Sequence, residues 1–367
     1  MRLNYPAMVK TNEIRRIAVR GPNWVGDAVM SVPALKVLSR LFPGAEIDLL
    51  IKSSIADLFE DSDFVNGVVQ IDRPKSKFRA VKDNTAYLAS RNYDLAIMMT
   101  SSFEPALSSM FAGIPRRIGY NKDLRGLLLT DPIPVPDWKA RRHEAYFYLH
   151  LIAEVTSRVS GKPIHMDEFP DASITVSDSR LSEAKKRLQQ AGIDPQARLV
   201  AVGAGSTNSR AKRWGTGRFA ELCARLTDEL DAAVLLLGSP DENEIANELA
   251  GSNPRNIFDL IGKTSVAEAA AILSLCDLLV SNDMGLAHLA PAVGTKTAVI
   301  FGPTDPSTTR PFSNEAIVIR EDVECSPCML RDCPIDHRCM TRISTDRVFS
   351  VCREILELDD ANYERPI

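Results

Sequence analysis

The sequence predicts an α/β protein built from two doubly wound halves, and three observations carry that reading. Short β-rich apolar runs alternate with stretches of helical apolar periodicity over most of the 367 residues. The alternation breaks once, between Thr130 and Ser179, and then restarts more clearly. The length suits two domains of roughly 100–200 residues each.

Taken in order, residues 17–19 read as a buried strand. From 27 to 42, Val29, Val32, Leu35, Leu38 and Leu41 recur at helical spacing, with Pro33 tolerable only near the helix start or as a kink. Strands follow at 47–51 and 68–71, a helix at 78–90, and a fully buried strand at 93–100. The stretch DPIPVPDW holds three prolines and reads as irregular. A helix spans about 143–158, and the linker falls near 160–172. The second half predicts a helix at 179–191, a strand at 199–202, a Gly-rich turn and a helix at 216–230. A strand at 233–238 precedes a helix from Pro240, a strand at 257–261 a helix at 266–276, and a strand at 278–281 a helix from Gly285. The last strand is 297–301, and a helix at 345–358 closes the chain. The domains are therefore 1–165 and 172–344, with 345–367 as a terminal helical segment. Ligands bind beyond the carboxyl ends of such strands, so a cleft between the halves is the expected site.

Composition narrows the function. Apolar residues make up 45% and charged residues 25%, ordinary for a folded chain. A net charge of −4 argues against a general nucleic-acid binder. No apolar run reaches the ~18 residues of a membrane helix, and the N-terminus does not read as a signal peptide. Seven cysteines, two of them in apolar helical patterns, suit a cytoplasmic chain with reduced thiols.

The motifs exclude two chemistries first. GPNWVGDAV after the first strand lacks G-x-G-x-x-G spacing, and Gly262-Lys263-Thr264 lacks the leading glycine of a phosphate-binding loop. Asp27 reads either as a helix cap or as a carboxylate held ionised by a helix N-terminus at the mouth of the cleft, and the two are compatible. The turn from Gly203 to Trp214 carries Arg210, Lys212 and Arg213, and suits a phosphate cradle or a solvated loop equally. Asp283, Gly285 and His288 open a helix after an apolar strand. That pattern suits an anion site with a hydroxyl-binding carboxylate, or turn and cap chemistry around a core histidine. Cys325, Cys328, Cys333 and Cys339, with His337 among them, suit a structural zinc or thiols packed in an ordered loop. Nothing argues for a catalytic metal. Basic groups at 73–82, at Arg116, Arg117 and Arg125, and at Lys139, Arg141 and Arg142 suggest an anionic partner or membrane surface.

Together the stretches RGPNWVGDAVMSVPALKVLSRLFPGAEIDLL, AKRWGTGRFAEL, SNDMGLAHLAPAVGTKTAVIFGPTDPSTTRP and CSPCMLRDCPIDHRCM resemble the ADP-heptose:lipopolysaccharide heptosyltransferases, above all their type II branch. They span about residues 17–350 in the family's order. The resemblance implies GT-B architecture, two Rossmann-like domains facing a cleft, with an acceptor-binding N-terminal domain, an ADP-heptose-binding C-terminal domain and a closing helix that crosses back.

It also implies inverting transfer of heptose from ADP-heptose to a heptose of the lipid-linked inner core, at the cytoplasmic face of the inner membrane, with only peripheral membrane contact. Asp27 would be the general base. Lys212 would neutralise the donor diphosphate, with Ser206 and Thr207 beside it, Glu242 at the ribose and Gly262-Lys263 at the adenine. Asp283 would bind the heptose hydroxyls, and Gly285 and His288 would belong to the same site. Met284 departs from the usual Ser or Thr and removes one hydroxyl contact to phosphate. Arg116, Arg117, Arg141 and Arg142 are the candidate acceptor-binding cations. No metal is expected in catalysis. The alternatives are a type I or III heptosyltransferase, another nucleotide-sugar glycosyltransferase, a nucleotide-sugar epimerase and a non-catalytic binding protein.

Overall fold

The computed structural model describes residues 13–72, 76–162, 171–207, 209–250 and 256–360. Part of the expected linker (163–170), Arg73 and Lys75 of the first basic group, and residues 1–12 lie outside the described residues. The chain divides into two compact units, Met1–Ala172 and Ser173–Ile367.

The first unit runs β1 (Arg16–Arg20), α1 (Val25–Leu41), β2 (Glu46–Ile51), α2 (Ser53–Ala56), β3 (Gly67–Gln70), α3 (Lys77–Ala89), β4 (Leu95–Met98), α4 (Phe103–Phe111), β5 (Arg116–Tyr120), β6 (Asp131–Ile133) and α5 (Glu144–Ser160). The second runs α6 (Asp178–Gln190), β7 (Leu199–Gly203), α7 (Thr216–Leu230), β8 (Ala233–Leu236), α8 (Asn243–Ala250), β9 (Ile257–Asp259), α9 (Val266–Leu273), β10 (Leu278–Asn282), α10 (Gly285–Ala292), β11 (Lys296–Phe301), α11 (Pro306–Thr309), β12 (Ala316–Arg320), α12 (Arg338–Thr341) and α13 (Thr345–Asp360).

Each unit holds one parallel sheet. The orders are β3-β2-β1-β4-β5-β6 and β12-β11-β10-β7-β8-β9. Strand order reverses beside β1 and β4 in one sheet and beside β7 and β10 in the other. Crevices at the carboxyl ends of those strands are where such sheets bind ligands. Central strands such as LAIM of β4 and AVLL of β8 are buried along their length, as strands covered on both faces must be. α1 packs on α5 in the first unit, and α13 lies on α7 in the second. The second core centres on Trp214, Phe219 and Phe349. The Trp214 indole N–H donates to the Ile343 carbonyl at 2.9 Å, so a large apolar side chain is buried with its one polar atom satisfied. Burial pushes the thiols of Cys223 and Cys352 up to about 12, which keeps them inert.

Three expectations need correction. DPIPVPDW does contribute a strand: β6 includes Pro132 and pairs only with β5 at the sheet edge, where a missing N–H costs no ladder bond. Pro33 lies well inside α1, not near its start. A further strand, β12, extends the second sheet beyond β11 through parallel pairing. Only Ala316 and Ile319 of its five residues are buried, as suits a strand at an edge.

Candidate active site

In the first unit the turn between β1 and α1 is fixed from beneath by buried Arg20. Its guanidinium donates to Asn23 Oδ1 at 2.7 Å and to the Gly21 carbonyl. Trp24 is the N-cap of α1, with φ −118° and ψ 145°, and makes no side-chain capping bond. Asp27 is therefore not the cap. It sits in the first helical turn, where the helix dipole favours its ionised form. It faces a cavity of about 620 Å³ whose walls include Asn23, Trp24, Thr100, Ser102, Lys122, Lys139, Glu144 and Tyr148. These come from the ends of β1, β4 and β5, from the segment between β6 and α5, and from α5. Lys139 pairs with Glu144 and lies 4.5 Å above the Phe147 ring centroid. Burial, and then the Asp27 charge, hold the Tyr148 hydroxyl well above its ordinary range, so it stays protonated and able to donate.

The cations that line this cavity are Lys122 and Lys139. Arg116 and Arg117 begin β5, opposite Leu95 and Ala96 at the amino end of the sheet and away from Asp27. Arg116 bridges Asp131 at 3.2 Å, and Arg117 donates to the carbonyls of Leu128 and Ile114. Both guanidinium groups hold the fold together there. Arg141 and Arg142 are exposed beside Lys139, with Arg142 3.9 Å from the Tyr146 ring centroid.

In the second unit the loop after β7 is sewn to the end of β10 by buried Asn282. Its amide donates to the Ala204 carbonyl at 2.7 Å, and its oxygen accepts from the Trp214 N–H at 3.0 Å. That staple sets the path of the intervening loop and places Lys212 2.7 Å from Asp283 Oδ2. Thr304, from the turn after β11, donates to the same Oδ2 at 2.7 Å. Asp283 is buried, and both bonds fall on one oxygen. Met284 is the N-cap of α10 and provides no side-chain acceptor, so Gly285 and the first-turn amides keep the donors that draw anions to a helix N-terminus. His288 is buried on the same helix.

A second group lies beyond β7, β8 and β9. Thr207 Oγ1 is 3.3 Å from Ser239 Oγ, and the Ser206 carbonyl accepts from Arg213. Glu242 accepts the Ser239 N–H at 2.9 Å in a capping box, while its other oxygen, Oε1, is buried without a hydrogen-bond partner. A Cβ on Gly205 would stand 1.9 Å from that oxygen, so only glycine admits the carboxylate here. Burial raises the Glu242 pKa against the opposing Ser239 N–H and Arg213. Gly262, at φ +67°, passes against Pro240 and carries Lys263, which pairs with Asp259 at 2.5 Å. Ser206, Thr207, Glu242, Gly262 and Lys263 thus gather at one edge, and Lys212, Asp283, Met284 and Gly285 beside it.

The cysteine-rich segment braces this site. Ala211 N–H donates to the Arg331 carbonyl at 2.9 Å, and His337 Nε2 meets the Ala211 carbonyl at 2.6 Å, directly before Lys212. Cys328 and Met329 N–H groups donate to the Pro303 carbonyl, directly before Thr304. A structural zinc at Cys325, Cys328, Cys333 and Cys339 is not supported: among the described residues no group of three or more His, Cys, Asp or Glu is arranged to hold a metal ion. Cys339 packs into the core against Gly302 while Cys328 is exposed, so the thiols serve different surroundings. By sequence, Lys139 stood out only as part of a basic group, and Trp24, Lys122 and Thr304 did not stand out; Trp24 shares the Asp27 turn, while Lys122 and Thr304 follow other strands.

Two Rossmann-like parallel units, each with polar groups gathered beyond its topological switch point, have the architecture of the GT-B class. The chain belongs to glycosyltransferase family 9 (heptosyltransferase), whose model matches residues 85–338. It is 29% identical over 320 residues to lipopolysaccharide heptosyltransferase 2 of Escherichia coli K12, covering 83% of this chain and 88% of that protein. It is 30% identical over 312 residues to lipooligosaccharide heptosyltransferase 2 of Haemophilus ducreyi, with the same coverage. The solved structure of E. coli ADP-heptose LPS heptosyltransferase II superimposes with a TM-score of 0.79 and 27% identity, covering 94% of this chain and 99% of that one.

Proposed function

We propose that this glycosyltransferase moves heptose from ADP-heptose onto a heptose of the lipid-linked lipopolysaccharide inner core, with inversion, as a type II heptosyltransferase. The observation that carries the reading is the Lys212–Asp283 pair at the uncapped start of α10. It sets a cation and a row of amide donors where a diphosphate needs them, beside a carboxylate able to receive sugar hydroxyls. Glu242 Oε1 takes a ribose hydroxyl, Ser206 and Thr207 flank the phosphates, and Gly262-Lys263 borders the base.

The acceptor occupies the first-unit cavity. Trp24 offers its face to a sugar ring, and Lys122 and Lys139 attract the anionic core; Arg141 and Arg142 lie beside them. Asp27 takes the proton from the acceptor hydroxyl as its oxygen bonds to the anomeric carbon. The anomeric bond to the diphosphate oxygen breaks, and ADP leaves with the electron pair. Lys212 and the α10 amides stabilise the charge that grows on it, the role a divalent cation plays elsewhere. We place the work at the cytoplasmic face of the inner membrane. No described helix is long and apolar enough to cross a membrane.

The test is ADP release from ADP-heptose with an acceptor bearing one inner-core heptose, in the presence of EDTA. Acceptor-dependent release is expected, and Asp27→Asn should lower it by about 10²–10⁴-fold or more while ADP still binds. Release only with a heptose-free acceptor would reassign the chain to type I chemistry. Full activity of Asp27→Asn would remove the base.

A further inference from the structure

The turn between β5 and β6 is built inside out. Arg125 is 1% exposed, while Leu124 and Leu127 are 83% and 91% exposed. The turn is not slack. The Arg125 guanidinium donates to the carbonyls of Tyr120, at 2.8 Å, and Thr100, and burial lowers its pKa to about 10. A Cβ on Gly126 would meet Asn121 Oδ1 at 2.3 Å, so the backbone is pressed against its own stem. Asp123 and Leu124 both hold positive φ, 54° and 62°, a conformation that is strained for leucine. Leu124 precedes and Leu127 belongs to a 3₁₀ turn, Arg125–Leu128, so the two exposed leucines stand three residues apart on one turn and make its apolar ridge.

We propose that this ridge inserts into an anionic lipid bilayer and brings the Asp27 cavity to a lipid-linked acceptor. The proposal rests on the reading of the acceptor given above. Two observations choose a bilayer over other occupants. The ridge is continuous with the cavity, since Lys122 and Asp123, which lead into Leu124, line it together with Asp27. The neighbouring cations are exposed or partly so: Lys122 in the turn itself, and Lys139, Arg141 and Arg142 on the segment after Val135, which also lines the cavity. An apolar ridge beside cations is how a peripheral protein combines burial in acyl chains with attraction to anionic headgroups.

The experiment is sedimentation with vesicles of phosphatidylethanolamine and phosphatidylglycerol, without substrate, for the wild type, the double variant Leu124→Ser/Leu127→Ser, and Leu127→Glu alone. The wild type should bind, and both variants should lose about tenfold or more in partitioning, because each buried leucine contributes strongly to transfer. Turnover of acceptor embedded in vesicles should fall with it, while turnover of the deacylated acceptor stays unchanged. Failure of the wild type to bind vesicles, or equal binding by the variants, overturns the proposal. So does a change in self-association, read by sedimentation velocity, without a change in vesicle binding. Wild type that binds vesicles but turns over neither acceptor would overturn the catalytic reading and leave the ridge standing.

Discussion

Asp283 shows how much of a site rests on residues that its own motif does not contain. Its Oδ2 receives both Lys212 and Thr304, and the function proposed above gives Oδ1 to a substrate hydroxyl. Thr304→Val keeps the shape and removes the donor. It should raise the donor KM by up to about 10–150-fold, the roughly 1.5–3 kcal/mol of a hydrogen bond to a charged group, with kcat less affected. Thr304→Ser should restore it; if Val behaves as wild type, the threonine only packs. Glu242 adds a pH dependence of known sign. Burial raises its pKa above the ordinary 4.5, so its ionised form is disfavoured in the fold. The stability tied to its protonated form is present at low pH and is lost as pH rises from the ordinary value through the raised one. A ribose hydroxyl donating to Oε1 favours the carboxylate, so donor affinity should strengthen over that same rise. Glu242→Gln should flatten the profile, and an unchanged profile would remove the contact. Asp27, Lys212 and Asp283 could be singled out as candidates because each stands in a short strand-turn-helix motif. Arg116 and Arg117 misled because charge in a sequence does not say at which end of a strand it emerges.

At the scale of elements, the second site depends on one staple and one brace. Asn282 joins β10 to the loop after β7 with bonds on both sides of its amide. Asn282→Ala strands the buried Trp214 N–H and the Ala204 carbonyl, and should cost about 1–3 kcal/mol per unsatisfied group in a denaturant titration, with weaker ADP binding. Stability loss without any change in ADP affinity would mean that the loop does not need the staple to hold Lys212. The brace is the cysteine-rich segment, which bonds to the backbone just before Lys212 and just before Thr304, the two partners of Asp283. Sequence spacing drew the eye to its thiols, whereas its work is done by main-chain groups and His337. β5, β6 and β12 also went unread in the sequence. β5 opens on two arginines, and β6 lies at a sheet edge, where one paired side lets it tolerate Pro132.

The two-unit organisation was readable because each parallel sheet must be covered on both faces, which writes the βα rhythm twice into the chain. On the function proposed above it also divides the binding work: acceptor to the first unit, nucleotide to the second. That division has a thermodynamic signature. A ligand that binds only the folded state stabilises it by RT ln(1 + [L]/Kd), about 2.7 kcal/mol at a hundred times Kd. ADP at such a concentration should therefore raise the melting temperature of the wild type, and by the same increment in Asp27→Asn and Trp24→Ala. Lys212→Ala should lose most of the increment at the same ADP concentration, because its Kd is higher. Trp24→Ala should instead raise the acceptor KM alone, if its indole, 53% exposed in the cavity wall, meets a sugar face as proposed. Equal loss of ADP stabilisation in Trp24→Ala and Lys212→Ala would show that the nucleotide reaches the first unit, and Trp24 would then have to be reassigned from the acceptor to the donor.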